Sequence, residues 1–216
     1  MKKVAVLGSG AVGDTLSTGF LKHGYPVMRA TRDPSKLQAW KAAATGEASV
    51  GTYAQAAAWA DIIVLAVKGL VAEEVLDQAG HDNLANKTII DTTNPMGSEP
   101  PDGGVIRYFT GPNESLMERL QKRVPAAHFV KAFNSVGNAL MVNPKIDPPP
   151  TMFICGDNAD AKQETTKILT TFGWEICDCG GVAGARPIES LCILWCIPGF
   201  LRKEWQHAFR LVKPQG

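Results

Sequence analysis

Short apolar runs alternate along the chain with segments whose apolar residues recur at helical spacing. Residues 4–7 are four consecutive apolar residues, which predicts a buried strand, and residues 12–20 repeat apolar side chains on one helical face. Residues 27–30 are predicted to form a second strand, and Pro34 stands where the first turn of a following helix accepts proline. The pattern therefore predicts a β-α-β unit that is complete by about Thr31.

The same alternation continues to the C-terminal region. Further strands are predicted over residues 61–67, 88–91, 128–133, 152–155 and 175–178. Further helices are predicted over residues 70–79, 114–123, 159–172 and 187–195. The clearest break is the run of three prolines that ends at Pro150. We expect an α/β fold: a Rossmann-type, doubly wound, mostly parallel sheet over residues 1–146, with a small C-terminal α/β lobe, residues 151–216, packed on it.

Composition narrows the classes of partner. The chain has 216 residues with 22 Lys and Arg against 21 Asp and Glu, so no global charge indicates a nucleic acid or an anionic membrane. It contains no apolar run of membrane-spanning length and no signal-peptide core, and we expect a cytoplasmic protein. Five cysteines without a Cys-x-x-Cys pair indicate reduced thiols and no metal site.

A glycine-rich turn follows the first strand and opens the first helix. It has the pattern G-x-G-x-x-G and consists of Gly8, Ser9, Gly10, Ala11, Val12 and Gly13. In this context the first glycine makes the turn, the second lets the backbone approach a pyrophosphate, and the third lets helix pack on strand. The helix N-terminus adds N–H donors and a favourable dipole. A dinucleotide site is therefore predicted, against the alternative of a turn without a ligand.

The residues at the end of the second strand indicate which dinucleotide the predicted site would bind. An NAD-selective site carries Asp or Glu about 20 residues after the glycines, where this chain has Ala30 and Thr31. Thr31 can donate a hydrogen bond to a 2′-phosphate, Arg32 can pair with it, and Lys36 can add a positive charge. Asp33 is expected to cap a turn. NADP(H) is the predicted nucleotide, and solvated surface roles for Arg32 and Lys36 remain the alternative.

Ligands of open α/β sheets bind beyond the carboxyl ends of the strands, at the switch point. The loops selected there add six candidate cofactor-binding residues, Ala66, Val67, Asn94, Pro95, Met96 and Asn134. For the Asn94-Pro95 dipeptide, a plain strand-to-loop turn is an equally good interpretation.

The chain offers no clear acid–base catalyst. None of its three tyrosines has a lysine four positions later, and no nucleophile stands beside a histidine. Lys68 and Lys131 are weak catalytic candidates, and strand-end salt bridging is the commoner fate for Lys131. Lys131 and Asn134 are three residues apart, which on a continuous strand places them on opposite faces. A flavin-like ring accepts hydride directly, so the absence of a donor is compatible with such an acceptor, and we expect no catalytic side chain.

Several stretches resemble one known family. They are residues 4–13, 31–33, 91–95, 130–134 with the sequence Val-Lys-Ala-Phe-Asn, and 154–157, followed by Gly180, Ala185, Arg186 and Glu189. Over nearly its whole length the chain resembles the NADPH-dependent coenzyme F420 reductases (F420-dependent NADP oxidoreductases). It is also similar to the cytoplasmic reductase domain of the STEAP metalloreductases.

The resemblance implies that residues 8–13 bind pyrophosphate, that Thr31, Arg32 and Lys36 hold the 2′-phosphate, and that Val67 and Asn94-Pro95 lie near the nicotinamide. It also implies direct hydride transfer between NADP(H) and coenzyme F420, or FMN or FAD, without a covalent catalyst. The region 191–212 has no aligned counterpart. Its apolar cluster is expected to pack in the core, or else to serve a homodimer contact or a flat aromatic ligand; it comprises Ile193, Leu194, Ile197, Phe200 and Leu201, interrupted by Pro198-Gly199.

Three functions remain in view. The first is an NADP(H)-dependent oxidoreductase acting on a deazaflavin or flavin. The second is a reductase of a small carbonyl or imine, which requires Lys68 or Lys131 to face the nicotinamide. The third is a non-catalytic NADP(H) sensor, which a cleft plugged by residues 97–111 or by the C-terminal tail would favour.

Overall fold

A six-stranded parallel sheet forms the centre of the protein, whose computed structural model describes residues 1–214. Its strands run in the order β3-β2-β1-β4-β5-β6, so the strand order reverses between β1 and β4. In chain order they are β1 (Val4–Leu7), β2 (Val27–Ala30), β3 (Ala48–Gly51), β4 (Ile62–Leu65), β5 (Thr88–Asp91) and β6 (His128–Lys131).

Helices cover both faces of this sheet. They are α1 (Ala11–Lys22), α2 (Gln38–Ala43), α3 (Tyr53–Trp59), α4 (Ala72–Ala79), α5 (His81–Leu84), α6 (Leu116–Arg123), α7 (Ala159–Thr171) and α8 (Ala185–Arg202). Side chains of α3, α4 and α6 belong to the apolar core on one face of the sheet, and those of α1 and α7 belong to the core on the other face. β1, β4 and β5 are consequently buried throughout, as central strands covered on both faces. The predicted doubly wound α/β fold is confirmed.

The C-terminal region adds a smaller layer beside β6. Strands β7 (Thr151–Ile154) and β8 (Glu175–Asp178) pair in parallel with each other. An antiparallel bridge joins this pair to the main sheet, because the N–H of Lys131 donates to the carbonyl of Cys155 at 3.0 Å. The boundary proposed between residues 146 and 151 stays a prediction.

β3, α3 and the single-turn helix α5 escaped the sequence analysis. β3 is an edge strand of Ala, Ser, Val and Gly in which only Gly51 is buried, so it shows no apolar run. α3 follows it directly and is rich in alanine, which gives a weak periodic signal. The start of α3 could nevertheless be recognised in the sequence, since Thr52 and Gln55 form a reciprocal capping box.

The last helix corrects the expected interruption at Pro198. α8 continues through Pro198 to Arg202, and Pro198 has no N–H to donate to the carbonyl of Leu194. Gly199 is needed there, since a Cβ at this position would lie 2.2 Å from Cε3 of Trp205. The C-terminal tail thus packs against α8 through Trp205.

Core packing was the wrong expectation for part of the apolar cluster. Leu194, Phe200 and Leu201 are 55%, 44% and 56% exposed. The core side of α8 instead buries Trp195 and Cys196, which pack with Ile106. In the tail, His207 stacks on Trp195 and Trp205 contacts the ring of Phe200 edge-on.

The described residues contain neither a membrane-spanning helix nor a metal-binding cluster. Within residues 1–214, none of the helices combines the length and hydropathy that crossing a lipid bilayer requires. The same residues contain no group of three or more His, Cys, Asp or Glu side chains placed to hold a metal ion. The five cysteines carry no disulfide, although the sulfurs of Cys192 and Cys196 lie 4.0 Å apart.

A buried ion network joins strands β5 and β6 of the main sheet to helix α8. The ammonium of Lys131 at the end of β6 lies 2.7 Å from Asp91 of β5 and 2.8 Å from Glu189 of α8. It also donates to the carbonyl of Thr93 at 2.8 Å. The three charged side chains are at most 2% exposed. Burial alone would lower the pKa of Lys131, but the two carboxylates outweigh it and raise that pKa.

Glu189 has a second role in the same place. Its carboxylate accepts the N–H groups of Leu116 at 2.9 Å and Met117 at 3.0 Å, in the first turn of α6. A carboxylate at a helix N-terminus satisfies orphan donors and complements the helix dipole. One side chain of α8 therefore fixes both β6 and the start of α6.

We predict that Lys131→Met lowers the free energy of unfolding by about 3–5 kcal/mol, because it leaves two buried carboxylates without their cation. The matched control is Lys122→Met on the exposed surface of α6, which should change stability by about 0.5 kcal/mol or less. Urea titrations of both variants provide the measurement. A stable Lys131→Met protein would contradict the structural role of this network.

Candidate functional site

The carboxyl ends of five strands lie in one row. Leu7 pairs with Ala30 of β2 and with Leu65 of β4, Leu65 pairs with Asp91 of β5, and Asp91 pairs with Lys131 of β6. The loops that follow these residues therefore leave the sheet side by side. The crevice of a doubly wound sheet opens at the strand-order reversal, here between the loops after β1 and β4.

The glycine-rich turn sits at that reversal, and each glycine has a distinct steric reason. A Cβ on Gly8, whose φ is +154°, would lie 2.0 Å from the carbonyl oxygen of Ala66. A Cβ on Gly13 would lie 2.5 Å from the carbonyl oxygen of Gly8, so this glycine lets α1 pack against the turn. Nothing in the described chain lies within 4 Å of a Cβ placed on Gly10. Gly10 thus leaves open space over the loop for a ligand.

The backbone donors of this turn are available. α1 makes its first helical hydrogen bond from Asp14 N to Gly10 O at 3.0 Å. Within residues 1–214, the N–H groups of Ser9, Gly10 and Ala11 donate to no protein acceptor. Successive free N–H groups at a helix N-terminus make a concave site for an anion.

Arg29 is a residue of this site that the sequence analysis missed. It lies on β2, its side chain is 4% exposed, and its guanidinium contacts the turn and Asp14. Burial lowers the pKa of Arg29, whereas the carboxylate of Asp14 acts in the opposite direction. The available signal was an arginine inside an otherwise apolar strand, since a buried charge requires partners.

The predicted 2′-phosphate residues follow β2 directly. Thr31 is buried and donates its N–H to Gly51 O at 3.2 Å, beside the end of β3. Arg32 and Lys36 are exposed, and neither forms an ion pair with another residue in the part of the chain that the structure describes. Asp33 caps the short helix Pro34–Leu37 by accepting the N–H of Ser35 at 3.1 Å, as predicted. The hydroxyl of Ser35 also donates to Asp33, and the two hydrogen bonds lower the pKa of this carboxyl group.

The other end of the row is closed by a pair of asparagines. Asn94 Nδ2 donates to the carbonyl of Asn134 at 2.8 Å, and Asn134 Nδ2 donates to Asn94 Oδ1 at 3.1 Å. Asn134 Nδ2 also donates to the carbonyl of Ile188 at 2.9 Å. The hydroxyl of Tyr108 lies 3.5 Å from Oδ1 of Asn94, and it donates to the carbonyl of Glu189 at 2.7 Å. Asn94 and Asn134 therefore tie the loops after β5 and β6 to α8.

Lys131 and Asn134 do not lie on opposite faces, contrary to the expectation from strand spacing. β6 ends at Lys131, and Phe133 adopts a left-handed φ of +63°. Alternation across a strand stops where the strand stops. Lys131 consequently contacts Glu189 while Asn134 contacts the adjacent Ile188.

The remaining predicted cofactor residues differ in their access. Ala66 and Pro95 are buried, Val67 is half-buried, and Met96 is 37% exposed. Oδ1 of Asn134 is buried and accepts no hydrogen bond from the described chain. The accessible part of this end of the row is thus apolar, formed by Val67 and Met96, which suits an uncharged ring.

The two candidate lysines are placed very differently. Lys68 is exposed and precedes the short helix Gly69–Val71 after β4. Lys131 is fully buried with three acceptors around its ammonium. An ammonium group enclosed in this way cannot transfer a proton to a ligand without losing those contacts. The contacts of Lys131 are therefore structural.

Comparisons with known proteins agree with this geometry. Residues 3–95 match the family described as NADP oxidoreductase, coenzyme F420-dependent. The chain is 28% identical over 204 residues to rat (Rattus norvegicus) Metalloreductase STEAP3, covering 92% of this chain and 39% of that protein. It thus spans about two fifths of the length of this curated relative.

Solved structures show the same fold. A protein from Arthrobacter sp. FB24, described as a candidate F420-dependent NADP-reductase, superposes with a TM-score of 0.89 and 28% identity, covering 99% of this chain and all of that one. A reductive aminase from Aspergillus terreus in complex with NADPH and ethyl levulinate has a TM-score of 0.68 at 19% identity, covering 94% of this chain and 63% of that one. The latter likeness concerns the fold alone.

The resemblance stated from the motifs is thereby confirmed, since residues 3–95 match the family model of the coenzyme F420-dependent NADP oxidoreductases.

Proposed function

We propose that the protein is an oxidoreductase that transfers a hydride between NADP(H) and a deazaflavin such as coenzyme F420, or a flavin. The observation that carries this proposal is the combination of free N–H groups at residues 9–11 with two unpaired cations, Arg32 and Lys36, after β2. The family match over residues 3–95 and the Arthrobacter structure support the same reaction class.

The charges around Thr31 favour NADP(H) over NAD(H). A carboxylate at this strand end would accept hydrogen bonds from ribose hydroxyls and repel a 2′-phosphate. Here the nearest carboxylate, Asp33, is turned to the N–H and hydroxyl of Ser35. Arg32 is left to bind phosphate in bidentate fashion, with Lys36 as a second positive charge.

Residues of the site bind and orient in this proposal, and none donates a proton. NADP(H), when bound, supplies or accepts the hydride at its nicotinamide ring. The residues 8–13 hold its pyrophosphate, and Val67, Pro95 and Met96 bound the ring on the apolar side. Positioning of two flat rings is the main contribution that such a site makes to the rate.

A small carbonyl or imine is a weaker substrate class for this site. Such a reduction needs a proton donor near the nicotinamide, and the enclosed ammonium of Lys131 does not provide one. Only Lys68 of the two lysines is exposed. A non-catalytic sensor stays the alternative of a different class, and the acceptor experiment below separates it from an enzyme.

The exposed side of α8 supports the expected homodimer. Leu194, Phe200 and Leu201 present apolar surface on one helix, and apolar surfaces of this kind mark association sites in soluble proteins. Light scattering at micromolar concentration would establish the oligomeric state. The cytoplasmic location also stays a prediction.

Arg32→Ala should weaken NADPH binding by about 1–3 kcal/mol, because it removes charge-assisted hydrogen bonds to the 2′-phosphate. NADH binding should change little, since NADH lacks that group. Isothermal titration with both nucleotides gives the measurement, and Arg107→Ala, on an exposed loop side chain, is the matched control. Equal losses for NADPH and NADH would contradict the 2′-phosphate role.

NADPH oxidation should be fast with one aromatic acceptor. Stopped-flow mixing with coenzyme F420, FMN, FAD and riboflavin, each offered separately, measures the acceptor preference. Ferric citrate belongs in the same series, because the curated relative is named a metalloreductase. Tight NADPH binding without turnover of any acceptor would overturn the enzyme proposal and favour the sensor.

A further inference from the structure

Arg29 makes an unusual set of contacts with the glycine-rich turn. Its Nε donates to the carbonyl of Gly8 at 3.2 Å, and its Nη2 donates to the carbonyls of Ser9 and Gly10, both at 3.0 Å. One guanidinium therefore collects three consecutive carbonyl oxygens of the loop. The rigid fork of arginine donors suits this arrangement, and a lysine has no equivalent.

These contacts dictate where the amide groups of the loop point. In a planar trans peptide, the carbonyl of one residue and the N–H of the next point to opposite sides. Holding the carbonyls of Gly8, Ser9 and Gly10 toward Arg29 turns the N–H groups of Ser9, Gly10 and Ala11 away from it. Those are the N–H groups that donate to no acceptor within residues 1–214.

Arg29 also alters the charge around the loop. Asp14 lies in the first turn of α1, where its carboxylate would repel a phosphate. Arg29 Nη1 pairs with that carboxylate at 2.6 Å. The guanidinium thus neutralises the nearest negative charge while its own positive charge stays behind the loop.

The position of Arg29 is held from outside the loop. Its guanidinium carbon lies 5.4 Å from the ring centre of Trp40, on α2, which stacks over it. Cation–π stacking and burial restrict the side chain to one arrangement. All the partners of Arg29 are protein groups, so none of these contacts requires a ligand.

We propose that Arg29 is a positioning residue that pre-forms the phosphate-binding loop, with its backbone N–H groups turned outward to receive the pyrophosphate of the nucleotide. Arg29 itself does not touch the ligand, and it acts through the peptide units of residues 8–11. This inference rests on the proposed NADP(H) site and adds a determinant of affinity to it. Pre-organisation raises affinity because the loop is ordered before binding.

Two ligands separate this role from a general structural one. NADPH carries both a pyrophosphate and a 2′-phosphate, whereas adenosine 2′-monophosphate carries only the latter. Arg29→Met should raise the Kd of NADPH at least ten-fold and that of adenosine 2′-monophosphate less than two-fold. Arg32→Ala is the matched control, and it should raise both Kd values. Arg29→Lys retains the charge without the fork and should bind NADPH with intermediate affinity.

The outcomes are distinct. If folded Arg29→Met binds NADPH within two-fold of the wild type, or loses affinity for both ligands equally, the inference is wrong and the proposed function stands. Wild-type protein that does not bind NADPH contradicts the proposed function itself. Circular dichroism establishes that each variant is folded before its affinities are compared.

A measurement on the wild type covers the case in which neither Arg29 variant folds. The Nε–H of Arg29 should exchange slowly with water in the ligand-free protein, and inorganic pyrophosphate should shift the amide signals of Ser9, Gly10 and Ala11 most strongly in NMR spectra. Rapid exchange of that Nε–H, or larger shifts elsewhere in the chain, would overturn the inference.

Discussion

The fold depends on one buried cation with two buried carboxylates around it. Lys131, Asp91 and Glu189 come from β6, β5 and α8, and all three are withdrawn from water. Such a cluster is favourable only with every partner in place, since a single missing partner leaves an uncompensated charge in a medium of low polarity. The cluster therefore specifies where α8 and α6 lie, and through Ile188 it places the Asn94–Asn134 pair. The end of the strand row opposite the glycine-rich turn is built on this constraint.

Sequence reasoning recovered the parts of the fold that local patterns encode. Buried strands such as β1 and β5 were located to the residue, because each has consecutive apolar residues that are covered on both faces of the sheet. The glycine-rich turn was equally recognisable, since its six-residue pattern lies between a strand and a helix. β3 escaped because an edge strand of small, partly exposed residues has neither an apolar run nor clear alternation.

The candidate site was only half predictable, for a related reason. Thr31, Arg32 and the glycines are recognised from their distance along the chain to the first strand. Arg29 and Glu189 act on residues 19 to 21 and 72 to 73 positions away, and no local pattern announces such partners. The end of β6 shows the limit of periodic rules, because a left-handed residue at Phe133 removes the alternation on which they rely.

The contacts of Arg29 have a consequence for how the protein folds. The glycine turn is held by a side chain that reaches it only when β2 has paired with β1. Before that pairing forms, the turn is a flexible, glycine-rich segment with many accessible conformations. Its shape is thus acquired together with the strand pair. In the proposed function, a nucleotide that binds this shape would therefore stabilise the pairing of β1 with β2 by mass action.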